Sequence, residues 1–191
     1  MDLINYTISI CLFAFMALAT YDGFILHIWK YKLYQQPESI FEHKTHTVRA
    51  ILFPLIVWSL LIQTDKIFFF IGLALTAMDL VVLTVDAYSE KDSRTIMGGL
   101  PRKEYILHLF ANGFHFAIIA LALVLKLSIV GTTLVYLPVQ LDQDAFSTVL
   151  LAFMAKNAIP GAVVLAMVHV ALLFTLPRNL WEVHRTKIRC C

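Results

Sequence analysis

Five apolar stretches, separated by short polar segments, constrain this chain more than anything else in its sequence. A helix needs about 20 mostly apolar residues to cross the hydrocarbon of a bilayer. Such stretches cover residues 3–29, 45–63, 67–88, 104–130 and 146–176. Hydrophobic residues make up 60% of the 191-residue chain and charged residues only 15%. A single small soluble core cannot hide that much apolar surface. The sequence therefore predicts an all-α, polytopic membrane bundle of about five transmembrane helices, forming one domain over residues 1–191. The first stretch lacks a basic n-region and a small-residue cleavage site, so it reads as a retained helix. Pro54 and Pro160-Gly161 are expected to kink the second and fifth helices, and Pro177 to end the fifth.

The lysines and arginines orient the bundle. Lys30, Lys32, Lys44 and Arg49 follow the first stretch, Lys91, Arg94, Arg102 and Lys103 the third, and Arg178, Arg185, Lys187 and Arg189 the fifth. The other side offers only Lys66, Lys126 and Lys156, the last two placed to snorkel. Basic loops stay in the cytoplasm. The expected topology thus has its N-terminus outside and its C-terminus cytoplasmic, in a bacterial inner membrane or its equivalent. A net charge of +2 with no basic block excludes a nucleic-acid partner. Arg94, Arg102 and Lys103 read as ordinary positive-inside bias, Trp29 and Trp181 as interfacial anchors. His43 and His184 read as solvated interface residues. The Cys190-Cys191 end is an acylation site only if it lies near the membrane.

All seven histidines fall in or near the basic half of the predicted bundle, together with Asp22, Asp79, Asp86 and Glu104. An ionisable group at that depth costs several kcal/mol, faces the bundle interior and marks a functional site by default. Helical spacing groups them. Asp79, Asp86 and Glu90 share one face, as do Glu104, His108 and His115, and as do Glu42 and His46. Asp22 and His27 are five apart, about 140° around an α-helix, so they are not expected to point at one centre. A faint repeat pairs the first hairpin (Asp22, His27, Glu42, His46) with the second (Asp79, Asp86, Glu104, His108), which suggests a pseudo-twofold axis along the membrane normal.

Imidazole with carboxylate suits a divalent metal, iron or zinc foremost, and facing helices carrying both can hold two ions. The expected ligands are His27, His46, Asp79, Asp86, His108 and His115. Glu42 and Glu104 are the expected catalytic acids or bases. Asp22, Glu90, Asn112 and His169 are expected to support the ligands or to line a pathway. So many carboxylates disfavour haem. The expectation is a membrane metalloenzyme acting on a lipid or a lipid-soluble small molecule, as an oxidoreductase with iron or a hydrolase with zinc. Two other functions fit the same residues: a metal-ion or proton transporter, and a subunit whose polar cluster only holds helices together. The scarcity of ionisable residues in the outer half weighs against transport.

Overall fold

The computed structural model describes residues 1–95, 98–138 and 145–189. Cys190 and Cys191 therefore lie outside the described residues. Among those described there are six helices: α1 (Asp2–Thr20, continuing as a π-helix over Tyr21–Lys30), α2 (Ile40–Val57, continuing as a π-helical turn over Trp58–Ile62), α3 (Lys66–Ser93), α4 (Arg102–Lys126), α5 (Phe146–Leu172) and α6 (Thr175–Arg189). The first five, extensions included, are each long and apolar enough to cross a membrane.

Two helix ends differ from the sequence expectation. The fourth stretch leaves helix at Lys126, and a hairpin of β1 (Leu127–Val130) and β2 (Thr133–Tyr136) follows. These segments are rich in β-branched residues, which fit strands better than helices. Gly131 supplies the positive φ that the tight turn between them requires. Tyr136 then donates its hydroxyl to Thr64 O and packs its ring 5.2 Å from Phe69, clamping the hairpin to the α2–α3 turn. The fifth stretch ends at Leu172, four residues before the expected limit, and α5 runs as helix through Pro160.

α1 packs against α4 and α5, and α2 against α3 and α5, whereas α3 and α4 scarcely approach each other. α5 packs between α1 and α2 because it is small where it must be. Ala155, Ala158, Ala162 and Ala166 are all buried and let its neighbours come close. In the half remote from the basic loops the core is apolar, built on Ile8, Leu12, Phe53, Ile56, Leu60 and Phe69. Lys126 is buried there and donates Nζ to Gln63 O at 2.6 Å, capping the end of α2 rather than snorkelling.

At the basic end α1 finishes on Lys32 in the left-handed region, with Leu33 N–H returned to His27 O at 3.0 Å. That turn buries Leu33 and Tyr34 completely. Tyr34 donates to Glu182 on α6, and Trp181 meets Trp29 and Phe24 at 5.9 and 6.0 Å. Burial opposes the charge of Glu182, but hydrogen bonds from Arg185 and Tyr34 hold its carboxyl down at about 2. Both tryptophans thus anchor α6 to α1.

Gly72 permits the tightest helix contact. A Cβ there would lie 2.5 Å from Leu60 Cδ2 and 2.7 Å from Leu60 Cγ. Overpacking of this kind costs about 1–3 kcal/mol. Gly72→Ala should lower the thermal unfolding midpoint in detergent while leaving the basic half of the bundle intact; an unchanged midpoint would show that α2 and α3 do not meet this closely.

Candidate metal centre

The π-helical winding of α1 decides where its two polar side chains go. Backbone hydrogen bonds in a π-helix close from i to i+5, as Tyr31 N–H to Leu26 O does at 2.8 Å. Residues five apart then return to nearly the same face. Asp22 and His27, which α-helical geometry would hold apart, point the same way, with Asp22 Oδ1 3.4 Å from His27 Nε2. Gly23 between them lets α5 press in, for a Cβ there would sit 3.2 Å from His169 Nε2. Asp22-x-x-x-x-His27 is thus the π-wound equivalent of Glu42-x-x-x-His46 on α2 and Glu104-x-x-x-His108 on α4. α3 supplies Asp86 and Glu90 at the same four-residue spacing. Each of these four helices presents two such side chains to one level of the bundle.

Two groups form at that level. In the first, Asp22, His27, Glu104 and His108 each offer one ligand atom, all within 4.8 Å of one another. His27 Nε2 is 3.3 Å from Glu104 Oε1, and His108 Nε2 is 3.1 Å from both Asp22 oxygens. The second joins His27, Glu42 and His46. His46 Nε2 is 3.9 Å from Glu42 Oε1 and 3.2 Å from Asp86 Oδ2, and its ring centre lies 4.2 Å from that of His27. His27 belongs to both groups. Glu90 Oε1 reaches His108 Nδ1 at 2.9 Å, and Thr45 donates to Asp86.

These separations suit ligands sharing an ion. Bonds of about 2.1 Å at tetrahedral or octahedral angles put ligand atoms roughly 3.0–3.5 Å apart. The angles agree. His46 Nε2, Glu42 Oε1, Glu90 Oε1 and Glu104 Oε2 are buried without a hydrogen-bond partner, although three of the four have an oppositely charged neighbour within 4 Å. His27 Nε2 is oversubscribed, since one ring nitrogen cannot donate to Glu104 while accepting from Arg94 Nη2 at 3.2 Å.

Arg94 completes the level. It is fully buried at the end of α3, and its Nη2 touches Glu42 Oε1 at 2.7 Å and pairs with Glu104. Its Nε and Nη1 have no hydrogen-bond partner. Ser93 donates to Glu42, and Ser39 donates to Ser93 O at 2.7 Å, fixing the chain on either side of the pair. Sequence reasoning placed Arg94 in a basic loop and missed both serines. The signal for Arg94 was present: it stands one helical turn beyond Glu90, on the stripe already containing Asp86.

Asp79 and His115 sit elsewhere. Their side chains meet each other at 3.1 Å, and Arg49 donates to Asp79 at 3.2 Å and to Asn112 at 2.9 Å. This network lies one to two turns deeper in the bundle, and neither residue joins the two ligand groups. Each lies seven residues, about two turns, deeper than Asp86 and His108 on the same helices, and Arg49 on α2 pairs with Asp79 there. His43 corrects the sequence expectation, because it is fully buried rather than solvated, stacked 5.1 Å from His169 and contacting His169 O at 3.2 Å. His184 is exposed as expected. Asp22, expected to support the ligands, is itself in a ligand group, and so are Glu42 and Glu104.

A cavity of about 300 Å³ touches both polar levels and all five long helices. Comparison with known protein families, with characterised proteins and with solved structures finds no match for this chain.

The π-phase argument has a direct test. Deleting Ile25 leaves Asp22 and His27 four residues apart in continuous α-helix, again on one face. Inserting one alanine after Ile25 sets them six residues apart, about 120° around an α-helix. The deletion variant should keep its ability to bind Zn²⁺ or Fe²⁺ in a titration and the insertion variant should lose it. Equal loss in both, with helicity retained, would contradict the geometry.

Proposed function

We propose that this chain is an integral membrane metalloenzyme with a dinuclear metal centre in the cytoplasmic half of its bundle, acting on a lipid-soluble substrate. The observation that carries this reading is the charge at one level. Asp22, Glu42, Asp86, Glu90 and Glu104 bring five carboxylates together. Among the described residues Arg94 is the one lysine or arginine ion-paired with any of them. Counted with all five acids ionised and the imidazoles neutral, five negative charges less one positive leave four, the charge of two divalent cations. Uncompensated, such charges in a low-dielectric slab cost several kcal/mol each. Three imidazoles among them (His27, His46 and His108) supply the neutral donors that iron, manganese and zinc take.

The arrangement parallels the way soluble four-helix bundles hold two metals, with carboxylates and histidines facing inward from each helix. Here the pairs Asp22/His27 and Glu104/His108 serve one ion, Glu42/His46 with Asp86 the other, and His27 stands between. Five carboxylates to three imidazoles favour iron over zinc, which prefers nitrogen and sulfur in a four-coordinate shell. An iron pair would supply oxygen-dependent oxidation of the substrate; zinc would supply metal-assisted hydrolysis. Arg94 would hold Glu42 and Glu104 in place. The cytoplasmic assignment rests on the basic loops beside the site. A transport function is less well supported, because among the described residues no second set of ionisable side chains continues the path across the remote half.

Elemental analysis of protein purified without chelator should give about two metal equivalents per chain. His46→Ala and Asp22→Asn should lower that content, and Asp79→Asn and His115→Ala should leave it unchanged. A folded, metal-free wild type that takes up none of Fe²⁺, Mn²⁺ or Zn²⁺ would end this reading.

A further inference from the structure

The gap between α3 and α4 sets the direction from which the site is reached. Within the metal level the side chains of His27, Glu42, Glu104 and Arg94 are sealed, whereas His108 and Glu90 are each 16% exposed, His46 14% and Asp22 10%. The cavity opens there between Leu83 and Ala87 on α3 and Tyr105 and Leu109 on α4. Tyr105 and Leu109 are 59% and 60% exposed on the outer surface of the bundle. On the apolar stretches 67–88 and 104–130, Ala87 and Tyr105 lie one residue and Leu83 and Leu109 five residues inside the boundary, about 1.5 and 7.5 Å along the axis. The opening therefore lies just inside the headgroup level, and Glu90 and His108 line the cavity beside it.

Charge selects what passes. The cavity of about 300 Å³ has room for a hydrocarbon chain. The deeper level is already neutral, Arg49 being paired with Asp79, and the metal level is neutral once two divalent ions are bound. An ionised end group would arrive without a counter-charge. Arg49, whose side chain is 17% exposed and lines the cavity beside Asn112, still offers N–H donors to an uncharged oxygen.

We infer that an uncharged lipid carrying an oxygen function enters this cavity sideways from the bilayer, through the window between α3 and α4. The inference rests on the metal-centre reading for the neutrality of the site, but the window itself does not.

The test uses the full chain, metal-loaded and metal-depleted, in lipid nanodiscs. The probe is a dodecanol analogue bearing a diazirine near its chain end. Light-driven insertion is mapped by mass spectrometry, and Phe53 is the reporter because it lines the cavity and is only 7% exposed. Labelling of Phe53 is expected in metal-loaded protein. It should fall about tenfold in Leu109→Trp, and likewise in Ala87→Trp, through steric filling of the window. Unlabelled dodecanol should compete and the dodecylsulfonate anion should not. Metal content of the tryptophan variants should match wild type. Labelling confined to lipid-facing residues, insensitivity to both tryptophans, or equal competition by the anion would overturn the proposal. If Phe53 is labelled in protein that binds no metal, the metal reading falls while the window stands. If metal binds and Phe53 is never labelled, the reverse holds.

Discussion

Carboxylates in a low-dielectric slab repel one another strongly, and the structure of this protein follows from that constraint. Coulomb energies grow several-fold when water is replaced by protein and lipid. The five acids at the basic level of the bundle are therefore tolerable only with cations among them. One is built in: Arg94, sealed between Glu42 and Glu104. It neutralises a fifth of the charge. Ligand atoms of Asp22, His27, Glu104 and His108, and of His27, Glu42 and His46, converge within 4.8 Å of one another in two groups that could hold a metal ion. The deeper network of Arg49, Asp79, Asn112 and His115 shows the contrasting solution, in which one arginine matches one aspartate and little is left over.

The backbone adapts to serve this level. α1 gives up α-helical winding for π-helical winding over the ten residues that contain Asp22, Gly23 and His27. Such segments tend to occur at functional sites. Gly23 leaves room for His169, so the altered stretch is gripped by α5 as well as by its own hydrogen bonds. α3 and α4 both contribute side chains to the site although their backbones stay apart, Glu90 meeting His108 at 2.9 Å and Asp79 meeting His115 at 3.1 Å across the gap.

The five-helix plan was legible from apolar lengths alone, because the bilayer fixes how long a spanning helix must be. The level at which the polar residues gather was legible too, from spacing along each helix. Which of them meet was not. Asp79 lies on the same stripe as Asp86, but Arg49 on the neighbouring helix claims it, and no single-helix pattern reveals that competition. Asp22 and His27 were set apart by an α-helical rule that the π segment does not obey. His43 was misjudged because its burial depends on α5 and on Tyr34, and Arg94 because a charged loop residue ordinarily stays in water. The hairpin at 127–136 was hidden inside an apolar run whose β-branched residues also read as membrane helix.

X-ray absorption at the metal edge of the purified protein addresses the central claim most directly. The expected spectrum shows nitrogen and oxygen neighbours at about 2.0–2.2 Å with the imidazole signature, no sulfur shell, and a second metal at roughly 3.5–4 Å. A metal bound through sulfur or solvent alone, or a spectrum that His27→Ala does not alter, would contradict it.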